Sequence, residues 1–142
     1  AYRTGEPKRV GVQFPIGGRL PVHIAAGARA IMAFSSPDLV DYMLEGELTP
    51  WTPKTITDRA VLKKNLGEYR RHGVAFDLGE TDIDSYFIAA PIFDHTKKPV
   101  AAIILGDLAR KINGRFSPKL ISAIKQTAAK ISAQLLYSED ET

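Results

Sequence analysis

The chain has 142 residues, 44% of them hydrophobic and 25% charged, and carries a net charge of +3. That length suits a single hydrophobic core, and no apolar run is long enough to cross a membrane as a helix. With no cysteine, the chain has no disulfides and no thiolate metal sites, which fits a reducing, cytoplasmic setting.

No charged stretch leads into an apolar one at the start, so no export signal is expected. Val10, Val12 and Phe14 alternate with polar residues and predict a strand over residues 9–14 with one buried face. Gly17, Gly18 and Pro21 then feed the tract Ala25-Ala26-Gly27-Ala28, a helix start with little bulk over its free N–H groups and a helix running to about Phe34. Such a tract reads either as a ligand seat or as the close packing of two elements. Ser36-Pro37-Asp38 supplies an N-cap, a first-turn proline and an acid, which predicts a short helix ending near Gly46.

Residues 48–56 are too rich in proline for a regular element. Thr57 or Asp58 is placed to cap a helix with an apolar stripe of Leu62, Leu66 and Tyr69, which Gly73 ends after Arg70, Arg71 and His72. Residues 74–77 and 85–93 read as strands and 94–98 as a hairpin turn. The return strand, 99–106, is apolar nearly throughout and is expected at the centre of the sheet. After a loop at Asn113-Gly114, Ser117-Pro118 opens a long helix with Leu120, Ile124, Ala128, Ile131 and Leu135 along one side. Residues 1–137 are expected to form one domain and 138–142 a disordered acidic tail. The order implies the α+β class, an antiparallel sheet with helices at its ends and on one face.

Catalytic chemistry finds little support. His23 lies at a strand-to-helix junction, where capping or packing explains it; His72 complements a helix end; His95 falls in the hairpin turn and is expected in solvent. No two histidines share a helix face at metal-ligand spacing, so no metal is expected. Asp77, Glu80, Asp82 and Asp84 form an acidic loop without the spacing of a calcium loop, and solvation at the surface is the plain explanation. There is no nucleophile elbow and no phosphate loop. Neither enzyme activity nor a cofactor is expected. The pairs Lys63-Lys64, Arg70-Arg71 and Lys97-Lys98 are scattered, unlike a nucleic-acid groove.

Three stretches carry a family resemblance. GGRLPVHIAAGARAIMAF (17–34), LTPWTPKTITD (48–58), and the segment from Glu68 to Gly106 with its Asp77-x-x-Glu80 and Ile88-Ala89-Ala90-Pro91-Ile92-Phe93-Asp94 together resemble the effector-binding domain of the IclR family of bacterial transcription regulators. The likeness covers about residues 9–136. It implies a GAF-like, profilin-like antiparallel sheet flanked by helices, and a domain truncated on its N-terminal side. The family's winged helix–turn–helix, linker helix and first strand are not in this sequence, so DNA would be reached only through that missing part.

The resemblance further implies a small organic acid as effector, its carboxylate against the backbone of Ala26 and Gly27. The facing wall would comprise Val12, Asp77, Phe87, Ile104 and Gly106. Phe87, Ile104 and Gly106 offer no side-chain donor, which favours an apolar or aromatic body on the acid; otherwise Phe87 fills the pocket itself. Arg29 stands where the family usually has lysine and is expected to point along the helix, away from the site. A homo-oligomer, dimer or tetramer, is expected, with no membrane partner and a cytoplasmic location. The alternatives are a GAF-like sensor module of another signalling protein and a small α+β enzyme using His23 with Asp77.

Overall fold

The computed structural model describes residues 16–135; the strand expected over 9–14, Val12 within it and the tail 138–142 lie outside them. The first helix, α1 (Ala26–Met32), begins with Arg29 N donating to Ala25 O at 3.0 Å, and no side chain caps it. In α2 (Pro37–Met43) Pro37 occupies the first helical position and Ser36 Oγ accepts from Leu39 N at 3.4 Å. The cap of α3 (Arg59–His72) is Asp58, whose carboxylate accepts from Val61 N at 3.1 Å. Its stop is Gly73, in the left-handed region at φ +77°, with its N–H on Tyr69 O at 2.7 Å.

Strands β1 (Ala75–Leu78), β2 (Ser85–Phe93) and β3 (Pro99–Leu108) form an antiparallel sheet in the order β1-β2-β3. Among the described residues β2 is the middle strand and β3 pairs with β2; the central place expected for β3 turns on residues outside them, the strand expected over 9–14 included. In β3, Val100 and Ile104 are about half exposed. Within β2, the buried Pro91 has no N–H to give, and two residues on Phe93 N donates to Ser132 Oγ at 2.9 Å.

A short helix not foreseen from the sequence, α4 (Ala109–Ile112), follows β3 and ends at Asn113 and Gly114, both with positive φ. The long α5 (Pro118–Gln134) is capped by Ser117, which accepts from Leu120 N at 3.2 Å. It buries Ile124, Ala128 and Ser132, while Leu135, expected on the apolar side, is 45% exposed.

Because side chains alternate across a strand, the sheet has two distinct faces. Val74, Ile88, Ala90 and Ile92 pack with Phe116, Ile124 and Ala128 beneath α5. On the opposite face Ala75 and Ala89 meet Ala26 and Ala30 of α1 in a thin layer of methyl groups. A third cluster, Met32, Val40, Leu44, Leu62 and Leu66, joins the first three helices.

Candidate functional site

The strand register decides which of the sequence-derived residues meet. Asp77 pairs with Phe87 and Phe87 with Gly106, so the three form one row across the sheet, while Ile104 lies in the next row, opposite Ala89. Both rows face α1, where Ala26 and Gly27 are buried. Six of the seven residues are thus brought to one side of the sheet, and the seventh, Val12, lies outside the described residues.

Two close approaches shape this surface. A Cβ on Gly27 would stand 2.7 Å from Ile104 Cδ1, so the glycine lets the isoleucine side chain lie against the helix. A Cβ on Gly106 would meet Phe87 Cδ1 at 2.3 Å, so the aromatic ring lies directly over the backbone of the neighbouring strand. The half-buried Phe87 also packs on the alanine layer, and Ile104 remains 52% exposed. The small residues of α1 therefore serve close packing, with apolar side chains at the margin of the surface.

Asp77 is buried, and its oxygens are directed into the loop that follows β1. Oδ1 accepts from Glu80 N at 2.7 Å and from Thr81 N at 3.3 Å, and Oδ2 accepts from the Thr81 hydroxyl. Burial pushes the Asp77 carboxyl above its ordinary pKa, against the opposing pull of these hydrogen bonds. His23 is buried too, its Nε2 hydrogen-bonded to Thr49 O at 3.0 Å, in keeping with the packing role expected for it. His95 is exposed and His72 lies 3.7 Å from Glu68 across one helical turn. Among the described residues no cluster of three or more histidine, aspartate or glutamate side chains is placed to hold a metal.

Two expectations are corrected here. Glu80, expected in solvent, is 5% exposed, and Arg29, expected to point away along α1, is 1% exposed and reaches inward to it. The guanidinium forms a two-pronged pair with Glu80: Nη2 donates to Oε1 at 2.6 Å, and Nη1 donates to Oε2. Nε and Nη2 also donate to His23 O, at 3.0 and 2.6 Å, and Nη1 to Phe76 O at 2.8 Å. Burial would lower the Arg29 pKa, but the bond to Glu80 and its charge outweigh it and hold the group above its ordinary value. Helical side chains lean toward the N-terminus of their helix, which is why Arg29 meets the carbonyl of a residue six positions back. The only trace of this pair in the sequence is a long cation set among alanines and glycine, where there is nothing to solvate it on a buried face.

The loop at 49–56 is fastened to the same place. Thr52 Oγ1 donates to Gly79 O at 2.6 Å, Thr55 Oγ1 donates to Glu80 O at 2.8 Å, and Ile56 N donates to Glu80 Oε1 at 2.9 Å. Thr55 Oγ1 in turn accepts from the backbone N–H groups of Trp51 and Thr52. Thr52 and Thr55 of this segment are thus explained by the carbonyls they satisfy.

A GAF-like antiparallel sheet, covered on one face by a small-residue helix and on the other by a long helix, makes a single domain of the α+β class. Residues 2–133 match the family model for the bacterial transcriptional regulator IclR C-terminal domain, and the chain belongs to that family. It is 34% identical over 123 residues to the HTH-type transcriptional repressor AllR of Klebsiella pneumoniae, covering 85% of this chain and 45% of the relative. The crystal structure of transcriptional regulator YaiJ superimposes with a TM-score of 0.82 at 26% identity, over 91% of this chain and 73% of that one. At 19% identity and a TM-score of 0.74, the inducer-binding domain of PobR from Acinetobacter, in a double mutant complexed with 3-hydroxybenzoic acid, shares the fold over 82% of this chain and 69% of its own. The chain spans about half the length of the curated relatives it matches. No helix among the described residues is long and apolar enough to cross a membrane.

Proposed function

We propose that this domain binds a small organic acid with an apolar or aromatic body and transmits its occupancy to a DNA-binding part in a longer, cytoplasmic regulator. The observation that carries this reading is the convergence of Phe87, Gly106 and Ile104 on the side of the sheet where α1 begins without a side-chain cap. An acid held there would direct its carboxylate to the N–H groups of Ala26 and Gly27 and lay its body on Phe87 and Ile104. Val12 would complete the wall, and Asp77 would act on it indirectly by fixing the loop after β1. PobR supports the chemistry, since its domain of the same fold holds an aromatic acid.

The mechanism is differential binding: an acid favours one packing of the site, and self-association of the domain passes that bias to the DNA-binding heads. DNA contact belongs to a winged helix–turn–helix beyond this chain, and the domain itself is not an enzyme. His23 and Asp77, the pair an enzymatic reading would use, are both committed to partners in neighbouring loops.

A thermal-denaturation screen of organic acids tests this. An acid at 100 times its Kd adds about 2.7 kcal/mol, and the neutral amide of the same acid should bind at least tenfold more weakly, about 1.4 kcal/mol. Equal affinity of acid and amide would remove the anion-binding role of α1. Light scattering checks self-association, and a monomeric mass at micromolar concentration contradicts it.

A further inference from the structure

A guanidinium has five N–H donors, and Arg29 uses all five: two on the His23 carbonyl, one on the Phe76 carbonyl and two on Glu80. These partners sit on three separate pieces of chain. His23 precedes α1, Phe76 lies in β1 beside Asp77, and Glu80 lies in the following loop. Glu80 extends the connection to a fourth piece through Ile56 N and Thr55 Oγ1, with Thr52 on the adjoining Gly79 carbonyl. His23 closes the circuit by bonding Thr49 O. The segment 49–56 is therefore held at both ends to the elements that bear Ala26, Gly27 and Asp77.

We infer that Arg29 is a positioning residue for the effector site, making the start of α1, the end of β1 and the 49–56 segment one mechanical unit. The inference rests on the effector site proposed above. A lysine at this position, with three donors, could not serve the two carbonyls and both Glu80 oxygens together. The outer surface of the strapped segment carries Trp51, 49% exposed and the chain's single tryptophan. Whatever displaces α1 against β1 must either strain these bonds or carry Trp51 with it, so the segment is suited to relay occupancy to the surface.

The test uses the whole chain, labelled with 15N, in three variants. Thr52→Val removes one strap bond at a half-buried position, Arg29→Lys keeps the charge and loses donors, and Thr96→Val is a control in the hairpin turn. Amide shifts at Gly27, Ala28 and Asp77 should change in both Thr52→Val and Arg29→Lys, with Ile124 and Ala128 on α5 unmoved. Changes in Thr52→Val confined to residues 49–56 and 79–81, or matched by the Thr96→Val control, would overturn the inference, and this arm stands even should Arg29→Lys fail to fold. In the second arm benzoate is titrated while Trp51 emission is followed. The wild type should respond, with benzoate bound about tenfold more weakly by Arg29→Lys and threefold by Thr52→Val. Binding that leaves Trp51 emission and both variants' affinities unchanged also overturns it. Failure of benzoate to bind the wild type counts against the effector reading alone, and the amide shifts then decide the positioning role.

Discussion

The two faces of the sheet are held by different physics. Under α5, branched and aromatic side chains such as Ile88, Ile92, Phe116 and Ile124 interlock, and the stability they give is spread over many small dispersion and burial contributions. Over the other face, alanine and glycine bring α1 so near the strands that there is little side-chain volume to bury. The interior beside this thin layer is occupied by a buried ion pair whose every donor is satisfied. An apolar face loses stability in proportion to what is cut away, whereas a satisfied polar cluster fails as a whole when one member is removed.

The largest expected effect breaks that cluster. Glu80→Ala leaves the Arg29 charge buried and unpaired and should cost about 3–5 kcal/mol by urea denaturation; a loss below about 1 kcal/mol would mean that the pair is wet or dispensable. Next comes overpacking of the thin face: Gly106→Ala pushes a methyl into the Phe87 ring and should cost about 1–3 kcal/mol. Gly27→Ala should be milder, because the obstruction is the movable end of Ile104 and alanine favours the helix by roughly 0.5–1 kcal/mol. Reversal of that order would show that the ring yields more readily than the aliphatic chain.

On the apolar face Ile88→Val should cost only about 0.5–1.5 kcal/mol, with the amide spectrum of α1 unchanged. The smallest effect is a change of slope with pH. Burial raises the Asp77 pKa from the usual 3.8, so the native state holds a proton that the unfolded chain releases first. Its contribution to stability is greatest at acid pH and falls as pH rises from about 3.8 through the raised native value. Asp77→Asn should remove this decline, and denaturation midpoints of the two proteins taken between pH 3 and pH 7 should diverge upward in favour of asparagine. Parallel profiles would show that Asp77 titrates normally.

What was legible in the sequence was local. Ser36, Asp58, Gly73 and Ser117 announce helix ends because a cap is made by residues within one turn, and β2 runs from Ser85 to Phe93 as its composition predicts. The four residues of α4 carry too little pattern to show. Asp77, Phe87, Ile104 and Gly106 were assigned to one wall through family likeness; their placement on one side of the sheet depends on strand register, in which two strand pairs set three of them in a row. The Arg29–Glu80 pair stayed hidden because its members are 51 residues apart and charged residues ordinarily belong to the surface. Only the odd placement of an arginine in an alanine tract hinted at it.

The end of β2 beyond β1 bears on the solubility of the whole domain. Where β1 stops at its pairing with Ala89, the next stretch of β2 has, among the described residues, no strand on that side and would present an open ladder to a passing one. Pro91 has no donor there, and the donor of Phe93 is already taken by the Ser132 hydroxyl. Replacing both safeguards, as Pro91→Val with Ser132→Ala, should raise turbidity on mild heating, and an unchanged aggregation onset would dismiss the idea. A proline in the middle strand, facing the side that β1 leaves, thus gives the molecule a blunted margin that resists being lengthened into a fibril by its own copies.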